Sequence, residues 1–421
     1  MTQKGLKNKS FFAEHRYALA FFIFLIGYHV IFVNRFNTWS FVEFTYSHYC
    51  VDFSFGFGTK LLPGAIYRFL FNGHTSRLTA TIFATALVII FFILLSFKLE
   101  KFMKRMPQKY LNSAFMLVLF FLSGSYTFCI FTKSLGLLDT YWLLIGLAFF
   151  TCLEHKYLRF LIPFLVALSL VIHFSAIVFV IPLFCILMLY YVSVTDDKKE
   201  KIFLIVIFGL SVILAVIMFV ILFFYESRTI CSMPEFHRKL KENGSDFTLY
   251  YDYAFFHEWK GRVFVPESVS NMKPSFMKFM YLFYYQVKLL FDLLKSSFKS
   301  NIYILLGGMI IVLPLVGYFA QFHLSALRQK SNHKLRRFCA FLMIAHFPFI
   351  FILAVLFAIS DDMTRYLTYA VIPAFCFIFV IVLKEKDMRE MFFEKMLSLQ
   401  NSLPLKLYAF TYFLTTLTPT V

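Results

Sequence analysis

The sequence predicts an all-α polytopic membrane protein of about ten transmembrane helices, with both termini on the cytoplasmic side, and three observations predict it. The first is composition. Of 421 residues 60% are hydrophobic and only 15% charged, with mean hydropathy +0.74, whereas a soluble domain has about a quarter of its residues charged. The second is length: a bilayer core about 30 Å thick needs about 20 apolar residues per helix, and the apolar stretches approach that size. They fall near 17–34, 78–97, 112–132, 139–153, 157–172, 174–193, 202–225, 302–321, 338–358 and 366–384. The third is where the positive charge sits. With the N-terminus inside, the cytoplasmic segments hold more than half of the 41 Lys and Arg residues, in runs such as Lys98, Lys101, Lys104, Arg105 and Arg328, Lys330, Lys334, Arg336. The same bias explains the net charge of +18, which alone would suggest a nucleic-acid binder. A disordered chain, a disulfide-stapled secreted domain and a soluble nucleic-acid binder are excluded.

The whole of 1–421 reads as a single integral membrane domain in the plasma (inner) membrane. The first stretch stays as a span because Tyr28 and His29 close it and Asn34-Arg35-Phe36 follow, where a cleavable signal would need small residues. Residues 35–77 form an outer interfacial loop. It is too aromatic to float in water and too broken by Gly56, Gly58, Pro63 and Gly64 to span, so short helices at headgroup level are expected. Residues 226–300 form a large outer loop before the eighth span, with a surface helix ending at Asn243-Gly244. Within it Ser275–Lys299 could span, but Lys278, Lys288 and Asp292 interrupt it, and a crossing would move the basic run after Arg328 outside. After the last span the chain is apolar, and its part around 396–410 reads as a surface helix. The seven cysteines are scattered without metal-ligand spacing; Cys50 and Cys231 share the outer side, so their pairing stays open. No metal or cofactor site is legible, and a divalent metal is left open.

Ionisable groups retained at membrane depth mark functional candidates more often than surface charges do. Here they share the outer ends of the spans. Asp52 stands beside the glycine pair of the first outer loop, with Glu43 before it; Lys60 and Arg68 are eight residues apart and share a face if the segment is helical. Capping, or pairing with Arg68, is the plainer account of both acids. Lys133 and Asp139 flank a short outer turn, with Asp139 at a helix N-terminus where the dipole favours it. His173 stands at the outer end of a span, where it serves as a helix-linking partner or a ligand. Asp361 and Asp362 precede Arg365, whose planar fork suits phosphate and whose neighbours offer an internal ion pair. Asp252, His257 and Glu258 accompany the aromatic cluster of the large loop, which suits either a sugar or an interfacial belt. The inner Lys-rich runs read as orientation and headgroup charge.

Carboxylates beside cations at a membrane surface suit chemistry on a lipid-linked phosphorylated substrate: an acid takes the acceptor's proton and cations stabilise the leaving phosphate. The order of parts, with Thr132-Lys133 through Gly136 and Asp139 to His173 and Pro182, resembles that of GT-C glycosyltransferases. That resemblance implies a lipid-linked sugar donor, a glycan acceptor, and Asp52 as base with Glu43 second, although an acidic pair is missing at the first-loop position. His173-Phe-Ser-Ala-Ile-Val-Phe and Asp362-Met-Thr-Arg365-Tyr366 resemble elements of EpsG-like and Wzy-type polysaccharide polymerases, which implies outer Arg and His groups on a diphosphate-linked glycan. A flippase or transporter of lipid-linked saccharide is the third class, against which stands the lack of an internal repeat.

Overall fold

A computed structural model describes residues 11–33, 43–123, 135–173, 176–229, 231–247, 267–270, 312–328, 363–400 and 402–414, with scattered positions between 272 and 310 and between 333 and 339. Every regular element among them is helical, as the composition requires. The principal helices are α1 (Arg16–Tyr28), α2 (Glu43–Cys50), α3 (Leu61–Leu70), α4 (Arg77–Lys104), α5 (Leu111–Leu122), α6 (Asp139–Glu154), α7 (Ile162–Ile172), α8 (Ile181–Val194), α9 (Lys198–Thr229), α10 (Met233–Glu242), α11 (Met363–Lys384), α12 (Lys386–Gln400) and α13 (Leu403–Leu414).

Among the described residues two helices are long and apolar enough to cross a membrane, α4 and the 198–222 part of α9. The start of α4 is set by Ser76, whose hydroxyl accepts from the Thr79 N–H at 3.1 Å, and Lys101 and Lys104 occupy its last turn, where cations suit the dipole. At 28 residues it is about 42 Å long. Along α9, Ile202, Val206, Ile213 and Val216 are each more than half exposed, a stripe too apolar to face water. The other expected spans appear as shorter apolar helices, or fall partly or wholly on residues outside those described: 124–132, 302–309 and nearly all of 338–358. Most of the 275–299 stretch also lies outside the described residues.

The bundle packs α1 on α4, α4 on α6, α6 on α7, and α9 on both α7 and α8. Aromatic rings fill these seams, with Phe149 and Phe184 stacked at 3.8 Å between centroids. The C-terminal helices close one flank, where the Tyr28 hydroxyl donates to the Phe413 carbonyl at 3.0 Å. Pro163 and Pro182 sit in the first turns of α7 and α8, where the missing N–H costs nothing, whereas Pro373 lies inside α11.

Cross-helix contacts define two ends. At the loop end lie α2, α3, α10 and the starts of α4 and α6. At the basic end lie the close of α4, α6 and α11 and the start of α9. Lys98 and Lys101 both reach Glu154 at 2.9 Å there, and Arg159 reaches Glu200 at 2.6 Å.

The first loop folds into α2, a 3-10 turn at Phe53–Phe55, and α3, so helices do form where the glycines forbid a span. Gly56 closes the turn at φ 133°, a conformation that favours glycine. Gly64 lets α3 press onto α2: a Cβ there would meet the Val51 carbonyl oxygen head-on and lie 2.6 Å from the His48 carbonyl oxygen. Backbone cannot move aside as a side-chain tip can, so Gly64→Ala is expected to destabilise by about 1–3 kcal/mol. Gly27, in α1, has open space around it, and Gly27→Ala should gain about 0.5–1 kcal/mol of helix stability. Thermal aggregation midpoints of the detergent-solubilised variants should therefore move in opposite directions.

Candidate functional site

At the loop end, Asp52 adopts an extended backbone and caps the 3-10 turn, its Oδ1 accepting from the Ser54 N–H at 2.8 Å. Its Oδ2 lies 3.0 Å from Arg68 Nη1, and both side chains are about one-fifth exposed. The capping and the Arg68 pairing that sequence allowed are thus both present. They take two of the carboxylate's roughly four lone-pair sites. Arg68 Nε is buried and has no hydrogen-bond partner among the described residues. A buried guanidinium donor without an acceptor costs more than an ordinary missing bond, so an anion or water beside it is favoured.

Lys60 does not share a helical face with Arg68 as the eight-residue spacing suggested. It precedes α3 as a left-handed residue, φ 67°, and its N–H donates to the Val171 and Ile172 carbonyls at 3.2 Å each. The tie to the end of α7 fixes this backbone, and a helical turn at Lys60 would break it. The same carbonyls lead to His173, which closes α7 in an extended conformation. Its ring stands edge-on to Trp142, centroids 5.5 Å apart, and the Trp142 indole N–H donates to the Ser169 carbonyl at 3.0 Å. Asp139 is the first residue of α6, at the N-terminus where the dipole favours an acid, but the N-cap is Leu138, with no side-chain capping bond; Asp139 is 1% exposed.

Glu43 opens α2 and is held from two sides. One oxygen pairs with Arg77 at the start of α4, and the other accepts from the Ser245 hydroxyl at 2.7 Å. The Arg77 guanidinium also lies over the Tyr46 ring. The large loop therefore docks on the first loop: Asn243 donates its amide to the Cys50 carbonyl at 2.7 Å and Lys239 its ammonium to the Ser54 carbonyl at 2.9 Å. Phe55 and Phe236 pack edge to face behind them. Lys239, Asn243 and Ser245 were not singled out from sequence. Their signal was the amphipathic segment ending at Asn243-Gly244, which predicts a helix but not its docking partner.

Asp52 and Arg68 are thus in contact, Lys60 leads from the end of α7 into the helix bearing Arg68, and Glu43 braces the same unit. Lys133, Asp361 and Asp362 lie outside the described residues, as do Asp252, His257 and Glu258. Arg365 falls in the first turn of α11, and its side chain is outside the description. No disulfide joins Cys50 and Cys231, so the pairing left open does not form. Among the described residues no group of three His, Cys, Asp or Glu side chains could hold a metal. Comparison with protein-family models, with curated proteins and with solved structures finds no match.

Burial raises the Cys50 thiol from the ordinary 9.0 to about 12. The folded state therefore keeps a proton that the unfolded chain loses, so stability is unaffected below pH 9 and falls as pH rises from about 9 towards 12. Maleimide labelling of Cys50 in native membranes should stay flat between pH 7 and 9, where a free thiol's rate climbs, and appear only on unfolding. A pH-dependent rise in the folded protein would contradict the burial.

Proposed function

We propose that this chain is a multi-pass protein of the plasma membrane, with ten crossings and both termini in the cytoplasm. It transfers a sugar from a polyprenyl-phosphate donor to a glycan or lipid-linked acceptor on the outer face, in surface polysaccharide assembly. The two long apolar helices and the concentration of Lys and Arg at one end support the membrane reading and its orientation.

The observation that carries the chemistry is the Asp52–Arg68 pair, part-exposed at the opposite end, with a buried Arg68 N–H lacking an acceptor. In the proposed reaction Asp52 takes the proton of the acceptor hydroxyl as its oxygen forms a bond to the sugar's anomeric carbon. The bond from that carbon to the phosphate oxygen breaks, and the lipid phosphate leaves with the electron pair. Arg68, with Lys60 as the second cation, stabilises the charge that develops on that phosphate. General-base help of this kind is worth about 100- to 10,000-fold.

A polysaccharide polymerase of the EpsG-like or Wzy type is the second reading. It is favoured by His173, part-exposed against Trp142 beside the carbonyls that anchor Lys60. There His173 and the arginines hold the lipid diphosphate, and no acid acts as base.

Asn at position 52 keeps an oxygen to cap Ser54 while removing the charge, so Asp52→Asn should fold. In proteoliposomes supplied with polyprenyl-phosphate sugar, the transferase reading expects this variant to lose transfer by about 100-fold or more and His173→Ala to lose much less. The polymerase reading expects the reverse. Movement of lipid-linked saccharide across the bilayer with no new glycosidic bond would favour a transporter instead.

A further inference from the structure

A cavity of about 220 Å³ lies inside the bundle between α4, α6, α8 and α11. Its walls are almost wholly apolar, and its polar groups sit at its two extremes: Asp139 near the loop end, and Lys98, Lys101, Arg105, Glu154 and Lys384 at the basic end. From Asp139 to Glu154 along α6 is about 22 Å, which exceeds the ~15 Å half-thickness of a bilayer core. It is therefore long enough for a lipid chain entering from one leaflet. Pro373, the one internal proline of α11, stands in its wall, and no atom comes within 4 Å of a Cβ placed on Gly146.

The charge at the basic end is unbalanced. Four cations ring the mouth and a single carboxylate, Glu154, answers two of them, Lys98 and Lys101. The other acids nearby are engaged elsewhere: Glu100 with His15 and Lys104, Glu200 with Arg159, and Glu385 with the Tyr190 hydroxyl. Neither Arg105 nor Lys384 forms a direct ion pair with a carboxylate among the described residues; Glu154, Glu385 and Glu200 act on Lys384 only from farther off, and its ammonium rests 3.6 Å from the centre of the Tyr191 ring. Cations at helix C-termini answer the dipole and set orientation, which accounts for basic residues at this end. It does not account for their gathering at the rim of an elongated apolar cavity.

We propose that this cavity holds the hydrocarbon chain of an anionic lipid, whose phosphate headgroup is bound at the basic end by Arg105 and Lys384 with Lys98 and Lys101. The site lies at the end of the bundle opposite the Asp52–Arg68 pair, and it stands whether or not that pair transfers a sugar. Arg105 supplies a planar fork for two phosphate oxygens and Lys384 a point charge held in place by Tyr191.

Trp142 lines the cavity and can report on it. In the full chain with Trp39→Phe and Trp259→Phe, Trp142 is the sole tryptophan. The probe is a titration with brominated-chain phosphatidylglycerol against brominated-chain phosphatidylcholine in mixed micelles. Phosphatidylglycerol should quench Trp142 at five-fold or more lower concentration. Arg105→Gln with Lys384→Gln should bring the two lipids level, Arg105→Lys should keep a preference, and Gly146→Leu should abolish quenching by filling the chain's path. Millimolar inorganic phosphate should leave quenching unchanged. Equal quenching by both lipids, or quenching that survives Gly146→Leu in a variant that elutes as the parent does, would show only lipid around the bundle and overturn the site. Displacement by phosphate alone would show an anion site without a chain, and would overturn it too.

Discussion

An apolar bundle tolerates ionised side chains only where water or a counter-charge can reach them, and that constraint arranges the rest of this molecule. The middles of α4, α6 and α9 are hydrocarbon, and the ion pairs occur at the helix ends. Glu43 meets Arg77 and Asp52 meets Arg68 at one end; Glu154 meets Lys98 and Lys101, and Arg159 meets Glu200, at the other. All but the Asp52–Arg68 pair join elements that are not consecutive in the chain, so the electrostatics that keep charge out of the interior also help fix which helices are neighbours.

The two ends are built differently. At the loop end the backbone does much of the binding: carbonyls of Cys50, Ser54, Val171 and Ile172 receive donors from Asn243, Lys239 and Lys60, and Gly64 allows α2 and α3 to touch main chain to main chain. Backbone-anchored contacts of this kind constrain the cap from several sides, which suits the carboxylate and guanidinium of the proposed transfer site. The basic end is built from long flexible side chains around a cavity mouth. In the proposed lipid site flexible cations adapt to a headgroup; in the proposed transfer the tethered Arg68 positions a reacting bond.

Much of this was legible in the sequence because it depends on local patterning. The all-helical class follows from composition, the break of the first loop into short helices from Gly56 and Gly64, and the place of Asp139 from its position before an apolar run. The capping role of Asp52 is also local. Lys60 and Arg68 would share a face only in a helix that includes both, and the conformation of Lys60 is set instead by two carbonyls more than 100 residues away, which no helical spacing records. The docking of Ser245 and Asn243 was invisible for the same reason. The basic end was read as orientation charge since Lys98, Arg105 and Lys384 each look like ordinary span-end cations. Only the convergence of α4 and α11 on one mouth distinguishes them.

The proposed transfer site and the proposed lipid site require the two ends of the bundle to face opposite sides of the membrane. Ser54 is exposed beside Asp52, and Tyr157 is 87% exposed beside Arg159. In a background lacking the seven native cysteines, Ser54→Cys and Tyr157→Cys should be distinguished by a membrane-impermeant maleimide applied to sealed, right-side-out vesicles. Labelling of position 54 from outside, and of position 157 only after the vesicles are opened, is the predicted result. Equal labelling of both from outside, or labelling of 157 alone, would contradict the arrangement.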